Sequence, residues 1–263
     1  MSTAKDVSVA GLFDLRGKTV IVTGGTGGIG LVLTVALAEA GADIVSIQIP
    51  NDPGASHLRD TVEHLGRNFR YFDSNLKDYA SIAQTFEGIW RSGCTPDILL
   101  NCAGITRHSK VEDTPIAYLD DVMDINFKAA YVVSQEFGRQ LLKLGRPGKM
   151  IHIASMAAQL VQTNISVYAP SKAAVRALTR AQSNEWAGNG IQVNCISPGF
   201  IKTKMTENLF MDPDFAKTVT ERTASHRWGY PEDLIGVAIF LASRASDFVT
   251  GEDIVVDGGV IGR

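Results

Sequence analysis

Short apolar runs alternate with helically spaced segments from residue 18 almost to the C-terminus of this 263-residue chain. "KTVIVTGG" (18–25) reads as a buried strand, "LVLTVALAEAGA" (31–42) has helical spacing with Gly41 as its stop, and "DIVSIQI" (43–49) is the next strand. The alternation continues through "RYFDSN", "DILLNCAG", "KMIHIAS", "IQVNCISPG" and "EDIVVDGG", with helical patterning over 117–144 and 171–187. Strand and helix in regular alternation predict an α/β fold, doubly wound, with a mostly parallel sheet covered by helices on both faces. No repeat or linker divides the chain, so residues 15–263 are expected to form one domain behind an N-terminal extension of 1–14. The long polar stretch 200–228, dotted with aromatics, predicts a substrate lid or, alternatively, a helical excursion packed on the surface.

A 45% hydrophobic content supports a sizeable core, and a formal net charge of −3 without any Lys/Arg block gives no footprint for nucleic acid or a membrane surface. Cys94, Cys102 and Cys195 are scattered and odd in number, which suggests neither a disulfide framework nor zinc. His152 and His226 lack neighbours at ligand spacing, so no metal is assigned. The N-terminus carries no signal-like apolar run and no stretch is long enough to span a bilayer, so a reducing, cytoplasmic setting is expected.

The first strand opens onto a helix through "TGGTGGIG", Thr23 to Gly30, which includes Thr26 and Ile29. Gly24, Gly28 and Gly30 permit a tight turn, close approach of backbone to a pyrophosphate and close helix–strand contact at a helix N-terminus that attracts anions. A plain structural turn is the alternative. At the end of the second strand, where a carboxylate meets the ribose hydroxyls of NAD or an arginine meets the 2′-phosphate of NADP, this chain places Gln48. Gln48 can bond a hydroxyl but brings no charge, and no Lys or Arg occurs between Lys18 and Arg59, which favours NAD while leaving NADP open.

"YAPSK" puts Tyr168 and Lys172 one helical turn apart, thirteen residues after Ser155 at a strand end. A phenol is a poor base near neutral pH unless a neighbouring cation favours its anion, so Lys172 and a nicotinium cation together are expected to pull the Tyr168 pKa down. Ser155 could hold a substrate oxygen while Tyr168 moves the proton. Pro170 is tolerated only in a first turn, so the helix is expected to begin near Val167 or Tyr168.

These residues resemble the short-chain dehydrogenases/reductases, over essentially the whole chain from Leu15. The resemblance implies a Rossmann fold and an enzyme that moves hydride between NAD(P) and CH–OH groups. Thr23, Gly24, Gly28 and Gly30 match the family's glycine motif, and "NCAG" (Asn101, Cys102, Ala103, Gly104) its "NNAG" motif beside the adenine ribose. Asn75, followed by Leu76, stands where the family has an aspartate that meets adenine. Asn126 matches the asparagine that completes a proton relay with Ser155, Tyr168 and Lys172. Pro198–Gly199, Ile201 and Thr203 match the segment that contacts the nicotinamide. The resemblance also implies a homotetramer.

Within the family, "DIVSIQI", "RWGYPEDLIGVAIFLAS" and "DGGVIGR" look most like the 2-deoxy-D-gluconate 3-dehydrogenase branch, which implies a sugar acid or polyol as small-molecule substrate. Arg107 could pair with its carboxylate or equally be a solvated loop arginine, and Gln162, with Ser155 and Tyr168, could bond its oxygens or be solvated. Gln159 and Asn164 share that loop, and Trp228 is expected in the core more than in the site wall. Two rivals stay open: an NADP-dependent ketoreductase of acyl or polyketide chains, and a non-catalytic nucleotide-sensing protein, which would be expected to have lost Tyr168 or Lys172.

Overall fold

The computed structural model describes residues 8–262; most of the expected N-terminal extension lies outside them. Seven strands form one sheet: β1 Thr19–Thr23, β2 Asp43–Gln48, β3 Phe69–Asp73, β4 Ile98–Asn101, β5 Gly148–Ile153, β6 Ile191–Pro198 and β7 Asp253–Val256. Their order is β3-β2-β1-β4-β5-β6-β7, and every pairing is parallel. Each strand coincides with an apolar run expected from the sequence.

The helices are α1 Val9–Leu12, α2 Gly28–Glu39, α3 Ala55–His64, α4 Tyr79–Arg91, α5 Ile116–Met123, α6 Ala130–Leu144, α7 Tyr168–Trp186, α8 Glu207–Phe210, α9 Pro213–Arg222 and α10 Ile235–Ala242. Side chains alternate across the pleat, so β1 sends Val20 and Val22 to one layer with Leu33 and Leu37 of α2, and Ile21 to the other with Phe86 of α4 and Phe137 of α6. Both faces are therefore dry over the inner strands β1, β2, β4, β5 and β6, which is why these read as continuous apolar runs.

The helical patterning over 117–144 is carried by two helices. A π turn, Asp124–Ala129, separates α5 from α6, and such one-turn widenings often mark functional positions. The start of α7 falls at Tyr168, with Pro170 two residues inside, where its missing N–H leaves no helical bond unmade. Segment 200–228 holds α8 and α9. Their aromatics close on Trp228, which is 5% exposed and packs on Phe200 (5.4 Å between centroids), Phe210 (6.0 Å) and Phe215 (6.5 Å). No helix among the described residues is long and apolar enough to cross a membrane.

Because the chain runs outward from β1 to β3 and then returns to β4 on the other side of β1, adjacent connections diverge above the C-terminal ends of β1 and β4. Ligands of open α/β sheets bind at that point.

Candidate active site

A cleft of about 340 Å³ opens at that switch point, walled by the turns after β1, β4, β5 and β6. From the first turn come Gly24, Gly28, Ile29 and Gly30; from the second Ala103 and Gly104; from the third Ser155; and from the fourth Pro198, Gly199, Ile201 and Thr203. Tyr168 and Lys172 reach it from the first turn of α7.

The glycines are required by close packing. A Cβ on Gly24, whose φ is +70°, would meet Ala103 backbone at 2.8 Å, and one on Gly30 would meet the Gly24 carbonyl oxygen at 2.0 Å. Gly27 caps α2 without a side-chain acceptor, so the first-turn N–H groups remain available to an anion. Thr203 sits over the turn, with its Cβ 3.8 Å from where a Gly28 side chain would begin. These features fit the pyrophosphate of a dinucleotide.

Thr23 and Asn101 shape the cleft floor from beneath. Thr23 Oγ1 donates to Asn101 Oδ1 (2.9 Å) and accepts from the N–H groups of Cys102 and Ala103, while Asn101 Nδ2 donates to the Ala130 carbonyl (3.0 Å). Gln48 is buried at the end of β2, and its backbone carbonyl accepts from Ser74 N–H. Thr26 Oγ1 donates to Asp52 (2.8 Å), whose other oxygen accepts from Gly54 N–H (2.8 Å). Asn75 turns its Oδ1 to the Lys77 N–H, beside the buried Leu76.

At the other end of the cleft, Ser155 Oγ accepts from Ala157 N–H (3.1 Å), and its own O–H is left to donate to the Tyr168 oxygen or to a substrate oxygen. Lys172 Nζ donates to the Ile153 carbonyl (2.8 Å) and lies 5.8 Å from the centroid of the Tyr168 ring. Asn126, in the π turn, accepts from Ile105 N–H (2.8 Å) and donates to the Ile105 carbonyl and to Ser171 Oγ. Gly104 leaves room for both, since its Cβ would stand 3.4 Å from Asn126 Oδ1 and from Lys172 Nζ.

The expected depression of the Tyr168 pKa rests on Lys172 together with the nicotinium charge, and the chain by itself does not supply it. Burial pushes the phenol above its ordinary value, and hydrogen bonding with Ser155 opposes this only in part. Burial also draws the Lys172 ammonium down to about 8. The same desolvation that encloses the phenol weakens its cationic neighbour, so the protein alone keeps the phenol protonated.

Arg107 and Gln162, expected at the substrate, are not among the residues lining this cleft. The Arg107 guanidinium donates to the Thr106 carbonyl, faces Asp121 at 3.6 Å and lies over the Tyr118 ring, outside the cleft wall. Gln162 lines a separate hollow with Phe215 and Arg222. Lys204 and Met205, not singled out from the sequence, do line the cleft beside Thr203. Their only sequence signal was adjacency to that threonine. His152 is buried, bonds Gln182 through Nε2 (3.0 Å) and is drawn to about 4 by burial. Among the described residues no group of three or more His, Cys, Asp or Glu is arranged to hold a metal ion.

A parallel sheet with a glycine-rich turn at its switch point, facing a Ser–Tyr–Lys group across one cleft, defines a dinucleotide-dependent oxidoreductase. Comparison with known proteins narrows this: residues 24–261 match the family model described as enoyl-(acyl carrier protein) reductase. The chain belongs to the short-chain dehydrogenase/reductase family and works with a nicotinamide dinucleotide. It is 39% identical over 254 residues to a 2-dehydro-3-deoxy-D-gluconate 5-dehydrogenase of Dickeya dadantii, covering 95% of this chain and 98% of the relative. A gluconate 5-dehydrogenase of Burkholderia cenocepacia, solved with NADP and tartrate, superposes with a TM-score of 0.93 at 34% identity, over 97% of this chain and all of that one (100%). A structure from Agrobacterium tumefaciens assigned as a 2-deoxy-D-gluconate 3-dehydrogenase, with bound NADP, gives 0.89 at 36%, over 96% and 99%.

Proposed function

We propose that the chain interconverts a secondary alcohol and a ketone of a sugar acid, with Tyr168 as the group that moves the proton. The observation that carries this reading is the convergence of Ser155, Tyr168 and Lys172 on the glycine-lined cleft. The named substrates of the relatives, gluconate and its keto and deoxy derivatives, supply the substrate class.

The nicotinamide, when bound, supplies or takes the hydride and in its oxidised form adds a positive charge. Tyr168, protonated in the protein alone, is set to donate to a carbonyl oxygen during reduction. Ser155 donates its O–H to the same oxygen and fixes its place. Lys172, braced on the Ile153 carbonyl, opposes the phenol's burial, and Asn126 ties the loop after β4 to α7 at Lys172's side. Thr23, Gly24, Thr26, Gly28, Ile29, Gly30, Asn101, Ala103 and Gly104 hold or shape the pyrophosphate and ribose end. Asn75 and Leu76 would flank the adenine of a bound dinucleotide, and Pro198, Gly199, Ile201 and Thr203 its nicotinamide.

For the cofactor, this chain's own residues favour NAD and the NADP bound in its structural neighbours favours NADP. Gln48 brings no charge, the Asp52 carboxylate is bonded to the glycine turn itself, and Arg59 is drawn over the Tyr71 ring, 5.1 Å from its centroid. A carboxylate beside the turn disfavours a 2′-phosphate. The second reading, NADP, is favoured by the NADP held in both structural neighbours. The same reading makes the protein a cytoplasmic homotetramer, to which exposed Ile116, Leu119 and Tyr131 would give apolar surface. Parallel titration with NADH and NADPH over a panel of keto-sugar acids and acyl ketones tests it. Turnover with sugar acids and a lower KM for NADH support the reading, whereas turnover confined to acyl ketones refutes the substrate class.

A further inference from the structure

The last strand carries a carboxylate that reaches both sides of the Ser155–Tyr168 pair. Asp253, which opens β7, has a side chain only 4% exposed. Its Oδ2 accepts from Gln159 Nε2 at 3.0 Å and faces Arg176 Nε at 2.7 Å. The Arg176 Nε–H is not aligned along that contact, so the contact is ionic and not a directed hydrogen bond. The other oxygen accepts from Ser197 Oγ and from Cys195 Sγ (3.5 Å).

The placement of these partners gives the cluster its meaning. Gln159 follows Ser155 by four residues, at the end of the 3-10 turn that Ser155 caps. Arg176 lies one helical turn past Lys172 and two past Tyr168 on α7. Ser197 immediately precedes Pro198–Gly199 on β6. Three of the segments that wall the cleft therefore meet at one carboxylate. A buried charge is tolerated only while its partners surround it, so none of the three can shift without exposing the carboxylate's unmet demand for hydrogen bonds.

We infer that Asp253 is a positioning residue for the reaction: through Arg176 and Gln159 it sets the spacing between the Ser155 hydroxyl and the Tyr168 phenol. This rests on the reading of those two groups given above. A carboxylate that merely fastened β7 to the sheet would need Ser197 and Cys195 alone. The arms to the Ser155 turn and to α7 are what tie it to the chemistry.

The test compares Asp253→Asn, Arg176→Met, their double variant and Gln159→Leu with the parent, and runs Tyr168→Phe alongside. A misplacement of reacting groups by about an ångström costs on the order of a hundredfold in rate. The expected result is a fall in kcat of about tenfold or more for Asp253→Asn and Arg176→Met, no further fall in the double variant, and a dinucleotide Kd within about twofold of the parent. Because contact with Ser155 lowers the Tyr168 pKa, loosening it should move the rising limb of the alcohol-oxidation pH profile to higher pH, which a fastening role would not do. Gln159 is exposed, so Gln159→Leu is expected to fold and to show a smaller fall in kcat at unchanged melting temperature; it carries the test should Asp253→Asn not fold. Unchanged kcat per folded molecule in Gln159→Leu and Arg176→Met, or losses that track only the unfolded fraction, would overturn the inference. If Tyr168→Phe turns over like the parent, the catalytic reading fails and this inference with it, whatever Asp253 does. If Tyr168→Phe is dead and the Asp253 set is unaffected, the inference alone fails.

Discussion

Gly27 and Gly30 stand three residues apart in one turn, and the structure gives alanine opposite consequences at the two. A Cβ on Gly30 would come to 2.0 Å from the Gly24 carbonyl oxygen and 3.3 Å from Cys102 Sγ. A carbon–oxygen contact relaxes near ~3.3 Å, so backbone must yield by about an ångström on each such insertion. Overpacking of that kind costs about 1–3 kcal/mol, or a melting temperature lower by roughly 3–10 °C in a chain of this size. Gly27 has an extended φ of −161° and nothing within 4 Å of its Cβ. Alanine there should cost about 0.5 kcal/mol of folding stability through a poorer cap. Gly27 lines the cleft, however, so its methyl would stand where the pyrophosphate approaches the N–H groups of α2. Loss of one charge-assisted hydrogen bond is about 1.5–3 kcal/mol, which is a rise in dinucleotide Kd of about 10- to 100-fold. Thermal melts paired with fluorescence titration of the reduced dinucleotide separate the two effects. An unchanged Kd in Gly27→Ala, or an unchanged melting temperature in Gly30→Ala, would refute the packing reasoning.

Two further outcomes follow from burial. Lys172 titrates near 8 when folded against an ordinary value of 10.5, so the unfolded chain binds the extra proton between those values. The stability that goes with a neutral Lys172 is therefore full above about pH 10.5 and lost as pH falls through about 8. The difference in denaturation free energy between the parent and Lys172→Met should change across that window, by up to about 3 kcal/mol, and be flat below it. Trp228→Ala removes the side chain on which Phe200, Phe210 and Phe215 converge. A loss of about 3–5 kcal/mol of packing is expected, read as faster proteolytic cleavage within 200–228 and a lower melting temperature.

Most of the sheet could be read from the chain because β1, β2, β4, β5 and β6 are dry on both faces, so their apolar runs are uninterrupted and their flanking turns stand out. Tyr168 as the start of α7 followed from Pro170 alone. The π turn at Asp124–Ala129 left no such mark: the apolar spacing continues through it, and Asn126 is explained only by Ile105 and Ser171, which lie 21 and 45 residues away. Arg107 shows the limit for charges. Its place after "NCAG" suggested a substrate carboxylate, yet Asp121 and Tyr118 of α5 take the guanidinium, and their nearness depends on how α5 packs. Helical spacing reveals that Lys172 is near the phenol but not that both are enclosed, and in the protein alone burial raises the Tyr168 pKa while lowering that of Lys172. Asp253 was equally silent, since "EDIVVDGG" reads as a strand whether or not its aspartate meets Arg176.

The central claim is that the Tyr168 phenol carries the proton. Its most direct measurement is single-turnover hydride transfer in Tyr168→Phe with saturating dinucleotide and a keto-sugar acid, alongside the dinucleotide Kd. The account predicts a rate lowered by about 10³-fold or more at a Kd within about twofold of the parent. Hydride transfer at a rate close to the parent's, with the phenol gone, would contradict it.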